Sequence, residues 1–137
     1  MLDNTTQVRV RYAETDQMGV VYHANYVVWM EVGRVEAMRA AGLNYAAMEQ
    51  EGVRVAVVGV EVEYRAPARY DDVVNVRARV VEVLSRKMRI EYEMTRASDG
   101  TLLATGATRH LFVNHEMRPV RCPEKYFQLF RAGERKQ

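Results

Sequence analysis

The apolar positions of the chain change period twice. Over residues 7–12 they alternate, with Val8, Val10 and Tyr12 on one side and Gln7, Arg9 and Arg11 on the other, which predicts a short half-buried strand. Residues 13–21 break the alternation and read as a loop, with Gly19 supplying the turn. Residues 26–41 then read as the main helix, with Asn25 as N-cap and Gly42 as the stop. Its first full turn, Val27-Val28-Trp29-Met30, is apolar all round, where a surface helix would show a polar face. This helix is expected at the centre of the fold, at least at its N-terminal end. Gly33 lowers its helix propensity and is expected to permit close approach of another backbone. Residues 45–51 predict a second short helix, closed by Gly52.

Alternation then returns in four segments, residues 53–65, 73–84, 87–96 and 101–114. The third of them, for example, places Met88, Ile90, Tyr92 and Met94 inward. The repeat shifts near Val80-Val81, which predicts a bulge or a strong bend. Ser98-Asp99-Gly100 reads as a hairpin turn. The small residues Ala104, Gly106 and Ala107 would let a helix lie close on the sheet. Pro119 and Pro123 mark the end of the sheet region, and residues 124–131 predict a short C-terminal helix. Strands joined by short turns favour an antiparallel sheet. A nearly apolar helix needs a surface that wraps it, so the predicted class is α+β: a curved antiparallel sheet of about five strands around one long central helix. One helix does not cover a whole sheet, and the exposed apolar remainder predicts an oligomer.

Composition narrows this picture. At 137 residues the chain predicts a single domain over 1–137. Twenty basic residues are offset by eighteen acidic ones, spread along the chain, and leave no footprint of a dedicated nucleic-acid binder. Cys122 is the only cysteine, so no intrachain disulfide forms. The N-terminus lacks the apolar core of a signal peptide, and no apolar run is long enough to span a membrane. A cytoplasmic protein is the expectation.

The chemistry concentrates in residues 11–42. Asp16 stands in a loop just before the start of the apolar helix, where unpaired N–H groups and a partial positive charge polarise a carbonyl oxygen. A carboxylate there attacks that carbonyl or activates a water. The alternative is that Asp16 only caps a local turn. His23 is either a general base or a pocket-wall residue, and Tyr22 is a wall or core residue. Glu31 suits a structural hydrogen bond better than catalysis, and Glu36 a solvated or interface position. His110, His115 and Cys122 lack metal-ligand spacing, so no metal is expected, and no phosphate loop, dinucleotide fingerprint or nucleophile elbow is present. The basic turn Ser85-Arg86-Lys87 reads as a solvated hairpin or a phosphate contact.

The run RYAETDQMGVVYHANYVVWMEVGRVEAM resembles the signature of the 4-hydroxybenzoyl-CoA thioesterase family of hotdog-fold proteins. YHANY and RAPARYDD resemble, more narrowly, its bacterial Tol–Pal-associated acyl-CoA thioesterase branch, and the likeness extends over nearly the whole chain. The resemblance implies a hotdog fold and a homodimer with a continuous sheet, often paired into a tetramer. It places the acyl pocket at the dimer interface. It implies hydrolysis of an acyl-CoA with no cofactor beyond the coenzyme A of the substrate. Asp16 matches the catalytic carboxylate, and the His23 N–H the position that polarises the thioester carbonyl. Tyr22, His23 and Asn25 then shape the site, while Arg86 and Lys87 fall where some relatives contact coenzyme A phosphates. Aromatic-substrate members often differ at Tyr22 and His23. Two other readings use the same fold: a hydratase or dehydratase with His23 and Glu31 as its only nearby pair, and a non-catalytic acyl-CoA-binding module.

Overall fold

The computed structural model describes residues 1–132. Its sheet follows directly from the alternation. Strand β3 (Val73–Val83) buries Val74, Val76, Ala78 and Val80, and β4 (Lys87–Arg96) buries Met88, Ile90, Tyr92 and Met94. With β1 (Asp3–Arg9), β2 (Arg54–Tyr64) and β5 (Leu102–Val113) they form one five-stranded sheet in the order β1-β3-β4-β5-β2, antiparallel throughout. The predicted bulge is present as a register shift between Val80 and Glu82, and a second one separates Val57 from Gly59. Such shifts bend the strands and add twist. On the other face, charges of opposite sign pair across strands: Arg77 with Asp3 at 2.7 Å, Arg79 with Glu91 at 3.4 Å and Arg89 with Glu61 at 3.5 Å.

Helix α1 (Asn25–Ala40) lies on the apolar face and touches β1, β2, β3 and β4. Trp29, Met30, Ala37 and Met38 are its buried face. Gly33 makes that approach possible: a Cβ built there would stand 2.7 Å from Cγ1 of Val76, closer than carbons pack. At Gly106 on β5 an added Cβ would meet the Glu61 carbonyl oxygen at 2.9 Å and the Met30 sulfur at 3.0 Å, as the small residues of that strand predicted. Helix α2 (Tyr45–Gln50) follows Gly42, and α3 (Glu124–Ala132) seals the end of the core with Tyr126 and Phe130.

Three expectations shift. The first strand is Asp3–Arg9 rather than residues 7–12, and Tyr12 sits in a 3-10 turn, 78% exposed. Asn25 is the first helical residue, not the cap; Ala24 holds that position and makes no side-chain cap bond. Of the all-apolar first turn, Trp29 and Met30 are buried but Val27 and Val28 face outward, because a helix lying on one sheet covers only one side of itself.

Two buried polar features lie away from this helix start. Arg34 donates to the Tyr92 hydroxyl (3.5 Å), which bonds Thr108 Oγ1 (2.7 Å), which bonds His110 Nε2 (2.7 Å). His110 Nδ1 lies near the Ala56 backbone but makes no hydrogen bond of normal geometry. Cys122 is buried at the β3–β4 turn, its N–H donating to Ser85 at 2.7 Å; burial first, and then the Glu124 charge, push its thiol up to about 12. Among the described residues no helix is long and apolar enough to cross a membrane.

Candidate active site

The loop between β1 and α1 folds on short-range bonds. Asp16 N–H donates to the Val20 carbonyl (2.9 Å) and Gly19 N–H to the Asp16 carbonyl (3.0 Å), with Gly19 at φ +79°, a conformation that glycine adopts without strain. Asp16 Oδ1 accepts the Met18 N–H at 2.9 Å, the local turn bond of the structural alternative. Oδ2 makes no hydrogen bond among the described residues. One carboxylate oxygen therefore holds the turn and the other remains available.

The start of α1 presents the complementary groups. Asn25 N–H donates to the Tyr22 carbonyl (3.0 Å), Tyr26 N–H to that of His23 (3.3 Å) and Val27 N–H to that of Ala24 (3.2 Å). The N–H groups of His23 and Ala24 are left without a partner among the described residues, as the geometry of a helix start requires. The Tyr64 hydroxyl, from the end of β2, donates to the His23 carbonyl at 2.9 Å. Tyr26 accepts the Ala68 N–H at 3.1 Å. Burial raises the phenols of both Tyr26 and Tyr64, which keeps them protonated.

Asp16 and His23 line one cleft of about 320 Å³ whose walls include Val21, Tyr26, Tyr64 and Pro67. Its apolar walls with a few convergent polar groups suit an acyl or aryl group. Tyr22 does not line the cleft; its ring lies tilted at 48° against that of His23, centroids 4.5 Å apart, and the His23 ring nitrogens hydrogen-bond to nothing among the described residues. Asn25 does not line the cleft; its Nδ2 donates to the Glu14 carbonyl at 2.9 Å. His23 and Glu31 form no hydrogen bond or ion pair with each other among the described residues, so the geometry does not single them out as a hydratase pair. Lys87, the first residue of β4, pairs with Leu111, and the Arg86 carbonyl accepts the Phe112 N–H; both lie toward the opposite end of β5 from Ala104, the partner of Tyr64, and do not line this cleft within one chain. A second hollow of about 320 Å³ on the outer sheet face is lined by Glu61, Arg79, Arg89 and Glu91, whose charges pair with one another.

Sequence reasoning passed over two residues. Glu14 is buried at 6% exposure and bonds Trp29 Nε1–H at 3.1 Å. The available signal was the lone tryptophan, whose indole N–H needs an acceptor once buried. Tyr64 read as one more alternating strand residue, and only the return of β2 alongside the helix start gives its hydroxyl a partner.

Comparison with known proteins converges on one group. Residues 10–130 match the model of the thioesterase-like superfamily. YneP of Bacillus subtilis, whose name marks it only as a candidate acyl-CoA thioesterase, is 37% identical over 130 residues, 94% of each chain. The acyl-CoA thioester hydrolase YbgC of Escherichia coli is 32% identical over 125 residues, 90% of this chain and 92% of its own. The crystal structure of a DHNA-CoA thioesterase from Staphylococcus aureus superposes with a TM-score of 0.89 at 30% identity, covering 96% of this chain and 90% of that one. With a five-stranded antiparallel sheet packed on a central helix and a family match over almost its whole length, this chain belongs to the thioesterase-like superfamily of hotdog-fold proteins.

Proposed function

We propose that the protein hydrolyses acyl-CoA thioesters to a free acid and coenzyme A. The observation that carries this reading is the meeting, in one apolar cleft, of an Asp16 oxygen without a partner and the unpaired His23 N–H at a helix start. The names of YneP and YbgC point the same way. The thioester carbonyl oxygen takes the His23 and Ala24 N–H groups, which stabilise the charge it gains as the carbon becomes tetrahedral. Asp16 supplies the carboxylate, either attacking the carbonyl carbon itself or removing a proton from the attacking water. In both routes the C–S bond breaks and coenzyme A leaves as the thiolate, which is protonated. On the direct route water then cleaves the acyl–Asp16 anhydride, releasing the free acid and regenerating the carboxylate; on the other the water oxygen enters the acid at once. His23 lines the cleft with the Tyr22 ring packed against its own from outside it, and Asn25 steadies the turn through Glu14.

A homodimer completes the site. Strand β2 is a sheet edge with Val57, Val58 and Val60 each more than 40% exposed, beside the uncovered Val27 and Val28 of α1. Antiparallel pairing of two β2 edges makes the sheet continuous and removes both edges. It also turns the partner end for end. The partner's basic turn, Arg86 and Lys87 in this numbering, then comes to the Tyr64 end of the first chain, where it suits the phosphates of coenzyme A.

The direct test is thiol release from short, medium, long and aromatic acyl-CoAs by the native protein and by Asp16→Asn. Asp16→Asn is expected to keep the fold and lose about 10²–10⁴-fold in kcat. Native turnover by Asp16→Asn would exclude the mechanism. Tight acyl-CoA binding without thiol release across the panel would exclude the reaction.

A further inference from the structure

Glu14 is the one acidic residue buried among the described residues, and it lies away from solvent without touching the cleft. Burying a carboxyl group is costly unless hydrogen bonds replace its water. Every bond that offsets this burial also joins two parts of the site. Oε1 accepts the Arg11 N–H at 2.8 Å, which closes the 3-10 turn carrying the chain toward Asp16. Oε2 accepts the Trp29 Nε1–H at 3.1 Å, one turn into α1, with the Arg11 guanidinium at 3.6 Å. The Glu14 carbonyl accepts two further bonds, from the Tyr22 N–H at 2.8 Å and from Asn25 Nδ2–H at 2.9 Å. Tyr22 and Asn25 flank the His23–Ala24 pair whose N–H groups are unpaired.

The residue two positions before Asp16 thus grips both sides of the helix start. Among the described residues, no other side chain of the Asp16 loop hydrogen-bonds to the body of α1. We propose that Glu14 is a positioning residue: through Trp29, Tyr22 and Asn25 it sets where the Asp16 carboxylate stands relative to the His23 N–H, and it never touches the thioester. This inference rests on the thioesterase reading above. A loop displaced by about 1 Å loses on the order of 10²-fold in rate through misalignment of the reacting groups. The loss falls on kcat, because the alignment counts in the transition state while the cleft walls that hold the acyl group are unchanged.

The test is a double-mutant cycle on Glu14→Gln and Trp29→Phe, with Asp16→Asn as reference. The glutamine keeps the side-chain shape but has one acceptor oxygen, so either the Arg11 or the Trp29 bond is lost. The phenylalanine removes the indole donor and leaves Glu14 bonded to Arg11. Glu14→Gln is expected to lower kcat about 10- to 100-fold with KM within about twofold of native, and Trp29→Phe to lower kcat in the same direction by less. The double variant is expected to fall short of the product of the two single effects, since both cut one linkage. Native kcat in folded Glu14→Gln, with Asp16→Asn inactive, overturns the positioning role and leaves the thioesterase reading standing. Native turnover by Asp16→Asn overturns that reading itself. A rise in KM matching the fall in kcat, or strictly multiplicative effects, also overturns the positioning role. Should Glu14→Gln not fold, native kcat in Trp29→Phe is decisive against it.

Discussion

His110 is enclosed at 1% exposure, bonded through Nε2 to Thr108, and held down to about 4, first by burial and then by the Arg34 charge. The unfolded chain takes up a proton at this ring near 6.5, the native protein only near 4. The folded value is the lower one, so the native state binds fewer protons across that window. Stability from this group is complete above pH 6.5, falls as the pH drops toward 4, and is lost below it, a difference of about 3 kcal/mol at most. Urea unfolding from pH 7 to pH 4 should therefore show a steeper loss for the native protein than for His110→Gln; equal slopes would remove His110 as the cause. The Arg77 hydrogen bonds hold Asp3 below the ordinary carboxylate range, so its contribution is lost in more acidic solution still. The same scale explains what was legible at Asp16. The turn reading is met by Oδ1, which accepts the Met18 N–H, while Oδ2 is left for the reactive role proposed above; the position in a loop before an apolar helix was enough to suggest both readings.

Among the elements, α1 depends on a residue with no side chain. Replacing Gly33 with alanine favours the helix by roughly 1 kcal/mol in propensity. It also drives a Cβ to 2.7 Å from a methyl of Val76, a β-branched side chain with little rotamer freedom inside a strand. The overlap outweighs the propensity, because relief requires moving the helix off the sheet, typically at 1–3 kcal/mol. Gly33→Ala is expected to lower the thermal midpoint by several degrees in a calorimetric scan; an unchanged or raised midpoint would show that the contact yields. Periods of 2 and 3.6 residues made β3, β4 and α1 readable from the chain. Strand β1 escaped because Asp3-Asn4-Thr5-Thr6 has no apolar alternation; its place comes from backbone pairing with β3. Asn25 looked like a cap because its side chain is the right type, yet its amide serves Glu14 instead. The Glu14–Trp29 bond spans 15 residues and exists only once the loop and the helix lie side by side, so no local pattern announced it.

At the scale of the molecule, the uncovered apolar strip is the informative feature. Val27, Val28, Val57, Val58 and Val60 lie on α1 and the β2 edge, where a single chain leaves main-chain donors and acceptors without a ladder. Native edges of this kind are normally blunted by charge or covered. Light scattering at assay concentration should give at least twice the 15.8 kDa of one chain. A single-chain mass with full activity would mean that Arg86 and Lys87 have no part in binding, since within one chain they lie at the opposite end of the sheet. The unmatched size of one helix and a five-stranded sheet was enough to predict an oligomer from the sequence, but that β2 is a free edge became visible only with the strand order.

The buried Cys122 bears on how turnover is to be followed. A thiol near 12 is ionised to about one part in ten thousand at pH 8, and the thiolate is the form that attacks disulfide reagents. The folded protein thus adds almost no colour of its own when coenzyme A is titrated with a chromogenic disulfide. Unfolding restores an ordinary cysteine, so in a protein with one sulfhydryl the background signal becomes a direct count of denatured chains.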